Sequence, residues 1–225
     1  LTTAPAASAT HADATVGVAV DVVPLALHEG RVHAAVVRVE HDDERGRLAF
    51  PGGRVRENES LDDAATRWLG GTLPGARAHV EQLYTFGEPG RDPASRVVSV
   101  AYLALLSRTR QADGVQWIPC DPVPRLAYDH RTILRTALER LRAKLAYTNL
   151  AWALLDESFT LGELQSVYES VLGHALDRRN FRKRILALDL LTPLGATRGG
   201  AHRPAQLYRF TTRRPITIGV LAGRE

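Results

Sequence analysis

Near residue 129 the chain changes character, and that change limits what it can fold into. Before it, the apolar residues come in short β-branched runs: Val16 to Val23, Val32 to Val39, Val80 to Phe86, Val97 to Leu106 and Val115 to Ile118. Runs of that length, bounded by Gly, Pro and charged residues, read as strands. From Asp129 onward the spacing is helical, with Ile133, Ala137, Leu138, Leu141 and Leu145 on one stripe. Charge divides at the same place. Residues 1–130 hold 13 Arg and 17 Asp plus Glu, a net of −4, while residues 131–225 hold 16 Arg plus Lys and 8 acids, a net of +8. An acidic front and a basic back imply two modules, the second with either a polyanionic partner or a solvated basic surface.

No apolar run approaches the ~18 residues of a membrane-spanning helix, which excludes integral membrane function. Cys120 is the only cysteine, so neither a disulfide framework nor a thiolate zinc cluster can form. One thiol and no signal-type n-region fit a reducing cytosol, a cytoplasmic location. All basic residues except Lys144 and Lys183 are arginines, a bias that weakens any inference from arginine to an anion site. The organisation expected is a disordered tail over 1–13, a first domain over 14–128, a stiff connector helix over 129–148 and a second domain over 149–225.

In the front half, Pro24 and the His28-Glu29-Gly30 turn separate two paired strands. Ser60 to Leu69 reads as a helix, with Ser60 and Asp63 as a capping box and Gly70-Gly71 as its end. Asp129 can cap the connector helix, which breaks near Tyr147-Thr148-Asn149 and resumes through Leu150, Leu154 and Leu155.

Pro51-Gly52-Gly53, then Glu59, then Arg67 on the capped helix resembles the Nudix box, G-x5-E-x7-R-E-U-x-E-E-x-G-U, with U bulky and apolar. Gly53, Glu59, Arg67 and Leu69 fall on pattern. In Nudix hydrolases the glutamates one, four and five positions after the arginine share a helical face and hold divalent metal. Here those positions are Trp68, Gly71 and Thr72, and Pro74 replaces the box glycine. Asp62 and Asp63 point about 100° apart on a helix and substitute poorly. The resemblance makes Glu59 and Arg67 a structural brace, and implies a Nudix-shaped pocket without its metal site and without enzymatic activity. The pocket can still bind: Gly-rich backbone and arginines suit a diphosphate, and Tyr84 or Phe86 an adenine ring. The competing reading puts the two aromatics in the strand core and the arginines on a solvated loop.

In the back half, Thr160 and Glu163 form a second capping box, with Phe159 and Leu164 placed to staple it. Gly173-His174 breaks that helix and Asp177 caps the next, a helix-turn-helix signature. On the second helix Phe181, Ile185 and Leu188 form one stripe, with Arg179 and Lys183 opposite and Asn180 and Arg182 flanking. Such a helix can lie in a major groove, or be an arginine-rich surface helix. A β-hairpin downstream, with Arg198, His202 and Arg203 near its tip, completes a winged helix and favours DNA.

Tyr84-Thr85-Phe86-Gly87 through Arg91-Asp92-Pro93, Phe159-Thr160 through Tyr168-Glu169, and Asp177 through Arg182 together resemble the Nudix-related transcriptional regulators called NrtR, over about Val16 to Phe210. The resemblance implies an α+β chain: a Nudix-like α/β/α sandwich with a mixed sheet, then a winged helix-turn-helix. It implies a homodimeric repressor of NAD-biosynthesis genes on palindromic double-stranded operator DNA, released by ADP-ribose or a related NAD metabolite, with no cofactor. Gly52, Gly53, Arg54, Tyr84, Phe86, Arg91 and Arg96 would lie at or near the effector. Thr160, Arg178, Arg179, Asn180, Arg182, Lys183, Arg198, His202 and Arg203 would face DNA. Two alternatives stay open. One is a metal-dependent Nudix hydrolase using Glu57, Glu59 and Asp62 or Asp63, with an accessory nucleic-acid-binding domain. The other is an interaction module with neither ligand nor DNA.

Overall fold

A computed structural model of the chain describes residues 15–40, 44–199 and 204–218. The expected tail over 1–13, His202 and Arg203 lie outside the described residues. Strand β1 (Gly17–His28) pairs antiparallel with β2 (Arg31–Arg38) across a turn in which Glu29 and Gly30 both have positive φ, the backbone that a tight hairpin favours. Pro24 does not separate two strands as expected but lies inside β1. On that side, strand β4 (Gly52–Arg54) covers Ala19 to Asp21 and β2 begins at Leu25, so the N–H that proline lacks falls in the gap between them.

The remaining strands of this sheet are β3 (Leu48–Ala49), β5 (Ala78–Phe86), β6 (Val97–Leu106) and β7 (Val115–Pro119). The main order is β3-β2-β1-β6-β5, with β4 on β1 and β7 on β2; β1 and β6 are parallel and the other pairs antiparallel, so the sheet is mixed. Alternation along the strands sorts the side chains to two faces. Val20, Val22, Val100 and Tyr102 meet Ala64, Ala65 and Leu69 of helix α1 (Leu61–Thr72) on one face. Val23, Leu25, Ala101 and Leu103 meet Ile133, Leu134, Ala137 and Leu141 of helix α2 (His130–Tyr147) on the other.

Helix α1 starts as the sequence indicates, with Ser60 and Asp63 bonded reciprocally. It does not stop at Gly70-Gly71 but runs to Thr72, closing with Leu73 N–H on the Leu69 carbonyl. Each glycine costs about 1 kcal/mol against alanine in a helix. Buried Leu69 and Leu73 on either side hold that turn in place.

Helix α2 does more than connect. It is the second covering layer of the sheet, and its buried stripe belongs to one apolar core that continues into the C-terminal module. Its start also differs from expectation. Asp129 occupies the N-cap position but makes no capping bond. Instead its two oxygens accept from Arg91 Nε and Nη2 at 2.9 and 2.7 Å. Arg91 also donates to Asp21 at 3.1 Å, and Ser99 Oγ donates to the same Asp21 oxygen at 2.6 Å. The Phe50 N–H donates to His130 Nδ1 at 2.9 Å, leaving the ring proton on Nε2, 3.5 Å from Asp21 Oδ1. Burial raises the Asp21 pKa, but His130, Ser99 and Arg91 outweigh it and hold the carboxyl at about 2.

After Thr148, a 3-10 turn (Leu150–Leu154) leads to β8 (Phe159–Thr160), helix α3 (Leu161–Leu172), helix α4 (Arg178–Ala187) and strands β9 (Leu191–Arg198) and β10 (Ala205–Phe210). The three strands lie in the order β8-β10-β9, completing a winged helix. The segment after β10 returns to the end of α2, where buried Asn149 donates to the Arg214 carbonyl and accepts from the Ile216 N–H. No helix among the described residues is long and apolar enough to cross a membrane.

Leu141 is fully buried in the shared core, so Leu141→Ala should cost about 2–5 kcal/mol in chemical denaturation, with both halves unfolding together. Because Asp21 ionises well below its ordinary value of 3.8, folding favours its charged form. That contribution, about 2 kcal/mol, is complete above about pH 4 and lost as the pH falls toward about 2. Stability measured across that window should drop in the wild type and flatten in Asp21→Asn.

Candidate functional site

Two surfaces gather the functional side chains. The first lies where the loop around β4 crosses β1. Gly52 sits opposite Asp21, and a Cβ there would stand 2.2 Å from Asp21 Oδ1 and 2.6 Å from the Val20 carbonyl. Only glycine allows that approach. Gly53 faces the other side of the sheet, where a Cβ would stand 2.5 Å from Trp68 Cζ2. Trp68 is the first residue after the box arginine, so an indole packs where Nudix hydrolases place a metal carboxylate.

Of the four acids that could substitute, Glu57 is exposed and the other three are committed elsewhere. Glu59 Oε2 accepts from Arg67 Nε at 2.9 Å, and its Oε1 accepts from the Arg56 N–H at 2.8 Å and from Arg67 Nη2. These bonds, the Arg67 guanidinium foremost, hold Glu59 at about 2. Asp62 accepts from Tyr102 Oη at 2.6 Å, and Asp63 closes the capping box. Glu59 and Arg67 therefore brace loop to helix, as the motif implies. Among the described residues no group of three His, Cys, Asp or Glu side chains is placed to hold a metal, so the donor set does not fit the divalent ion of a Nudix hydrolase.

The residues assigned to an effector do not form one cluster. Gly52, Arg54, Tyr84, Phe86 and Arg91 share the α2 face, whereas Gly53 faces α1. Arg54 extends across Gly17 and donates to Ser95 Oγ at 2.8 Å. Tyr84 is 60% exposed, its ring edge-on to Phe86 at 5.4 Å. Both follow the register shift between Gln82 and Tyr84 and lie on one face, but Leu83 and Phe86 enter the core while Tyr84 stays outside. Phe86 is thus a core residue rather than a stacking platform. Arg91 is not a free loop cation, because its guanidinium is enclosed with Asp21 and Asp129. Arg96 is exposed and bonds the Val97 carbonyl. Sequence reasoning missed Asp21, Ser99 and His130. The one available signal was an acid, Asp21, in the middle of a valine-rich run.

The second surface is the winged helix. Thr160 and Glu163 cap α3, and Gly173 ends it in the left-handed conformation with φ 80°. Asp177 caps α4 by accepting from the Asn180 N–H at 2.7 Å. Phe181 and Ile185 bury one stripe of α4; Arg178, Arg179, Asn180 and Lys183 are exposed, with Arg179 and Lys183 opposite the stripe. Arg182 is half-buried, with its Nε enclosed and unpartnered. Thr160 Oγ1 is occupied as a cap. Arg198 turns back from the wing to pair with Glu163 and to donate to the Ser158 carbonyl at 3.2 Å.

Residues 151–210 match the model of the NrtR DNA-binding winged helix domain. The ADPR responsive transcriptional repressor NtrR of Acinetobacter baylyi is 30% identical over 201 residues, covering 85% of this chain and 80% of that protein. Shewanella oneidensis NrtR, solved in complex with a 27mer DNA, is 32% identical with a TM-score of 0.78, over 86% of this chain and 93% of that one. A MutT/nudix family protein from Enterococcus faecalis shares the fold, with a TM-score of 0.71 at 24% identity over 88% of this chain and 89% of its own. With a Nudix-like sandwich and a winged helix built on one core, and a likeness that runs through both, the chain belongs to the NrtR family.

Proposed function

We propose that this chain is a transcriptional repressor of NAD-biosynthesis genes that releases its operator when ADP-ribose or a related NAD metabolite binds the Nudix-like domain. The observation that carries this reading is α4. An apolar stripe anchors it, and its first two turns present Arg178, Arg179, Asn180 and Lys183 to solvent. In helix-turn-helix proteins that end of the second helix reaches base edges. Arginine forks suit guanine, asparagine suits adenine, and the wing supplies phosphate contacts.

A palindromic operator calls for a homodimer, with recognition helices about one turn, ~34–36 Å, apart. An effector that favours a dimer of different spacing weakens DNA binding by that preference and no more. The effector end of the reading rests on Gly52, Arg54, Tyr84 and Arg91 on the α2 face, with Arg96 beside them. The repressor works in the cytoplasm and needs no resident cofactor. It is not a hydrolase, since Trp68, Gly71 and Thr72 stand where the metal glutamates would be.

The test is a titration of genomic fragments from upstream of its own operon, at physiological salt with competitor DNA, with and without ADP-ribose. Saturable binding that ADP-ribose weakens is expected; its absence, or metal-dependent release of AMP from ADP-ribose, would count against the reading. Arg179→Ala and Lys183→Ala should each cost operator binding about 1–3 kcal/mol if they read bases. A phosphate contact would instead lower the salt slope by about one.

A further inference from the structure

Two carboxylates, Asp21 and Asp129, share one guanidinium, that of Arg91; Arg91 and Asp21 are buried and Asp129 is partly so. The arrangement adds a charged tie between parts that packing and the Phe50–His130 bond already bring together. Asp21 lies beneath Gly52 of the candidate effector loop, and the adjoining Phe50 N–H is bonded to His130. Asp129 and His130 are the first two residues of the α2 unit, so the same cluster fixes where α2 begins. The Asp129 carboxylate makes no capping bond; both of its oxygens are bonded by Arg91.

From that end α2 runs 18 residues to the winged helix. Arg142, near its far end, donates to the Val171 carbonyl of α3 at 3.0 Å. The 3-10 turn that follows leads directly into β8 and α3. Ser170 of α3 donates back to the Gly30 carbonyl at the β1–β2 turn at 2.7 Å. A shift of the α2 start relative to the sheet therefore cannot leave α3 where it was. Packed cores respond to such shifts by changing between discrete arrangements.

We propose that Asp129 is the positioning residue that couples the effector loop to the DNA-reading module, an inference that rests on the regulator reading above. Two negative charges already share Arg91. An anionic ligand over Gly52, carrying a diphosphate, competes with Asp129 for that guanidinium and repels its carboxylate. In the DNA-binding state Arg91 holds Asp129 and pins α2. In the ligand-bound state Arg91 turns to the diphosphate and the N-terminus of α2 is released.

Linkage gives this a signature that a merely structural role would not produce. Weakening the Arg91–Asp129 pair favours the released state, so it must tighten the ligand and loosen the DNA together. The experiment compares the full-length wild type with Asp129→Asn, which keeps size but loses charge, and Asp129→Ser, a good helix cap that frees Arg91. ADP-ribose affinity is read by calorimetry, and affinity for an operator duplex found in the titration above by fluorescence anisotropy. Both variants are expected to bind ADP-ribose about fivefold more tightly or better, and the operator weaker by a similar factor. The proposal is overturned if both affinities are unchanged, or if both fall together while the thermal transition is retained. A wild type that binds neither probe overturns the regulator reading itself, and this inference with it.

Discussion

The burial of α2 on two sides at once is the constraint on which the rest of the structure depends. Its stripe of Ile133, Leu134, Ala137, Leu138, Leu141 and Leu145 closes one face of the sheet and lies in the same core as Phe159, Leu164 and Tyr168 of the winged helix. A helix with only one partner could slide or tilt at small cost. One packed against a sheet and a second module has few arrangements available, because interiors pack at crystal-like density. Polar bonds then fix its position: Arg140 to the Leu83 carbonyl, Lys144 to Glu81, and Asp129 to Arg91.

The degenerate Nudix box follows the same logic of replaced contacts. Where a hydrolase needs carboxylates free to meet a metal, this chain ties Glu59 to Arg67, Asp62 to Tyr102 and Asp63 to Ser60. Each bond stabilises the loop-helix unit locally while removing a donor. Among the described residues this leaves no group of three His, Cys, Asp or Glu side chains placed to hold a metal.

Both capping boxes were legible in the sequence because their partners lie three residues apart, as were the hairpin turn and the buried stripes of α2 and α4. Errors arose where tertiary contacts overrode local rules. Gly70-Gly71 continues a helix because Leu69 and Leu73 anchor it, and Pro24 continues a strand because no N–H is required there. Tyr84 and Phe86 are equivalent by strand alternation, yet Phe86 is covered by the core and Tyr84 is exposed. The Arg91 position followed from its loop, but its two carboxylate partners lie 70 and 38 residues away, and no local pattern carries such a pairing. Asp21 showed only as an oddity among valines.

The contact between Trp68 and Gly53 makes a metal site hard to install in this domain. Restoring a glutamate at 68 would supply one of three missing carboxylates and remove the indole that packs on the glycine. Gly71 and Thr72 would still lack theirs, so the first step back loses packing before any metal can bind. Intermediates on that route would be less stable and no more active. With an aromatic packed where a metal ligand would stand, stability alone opposes the exchange.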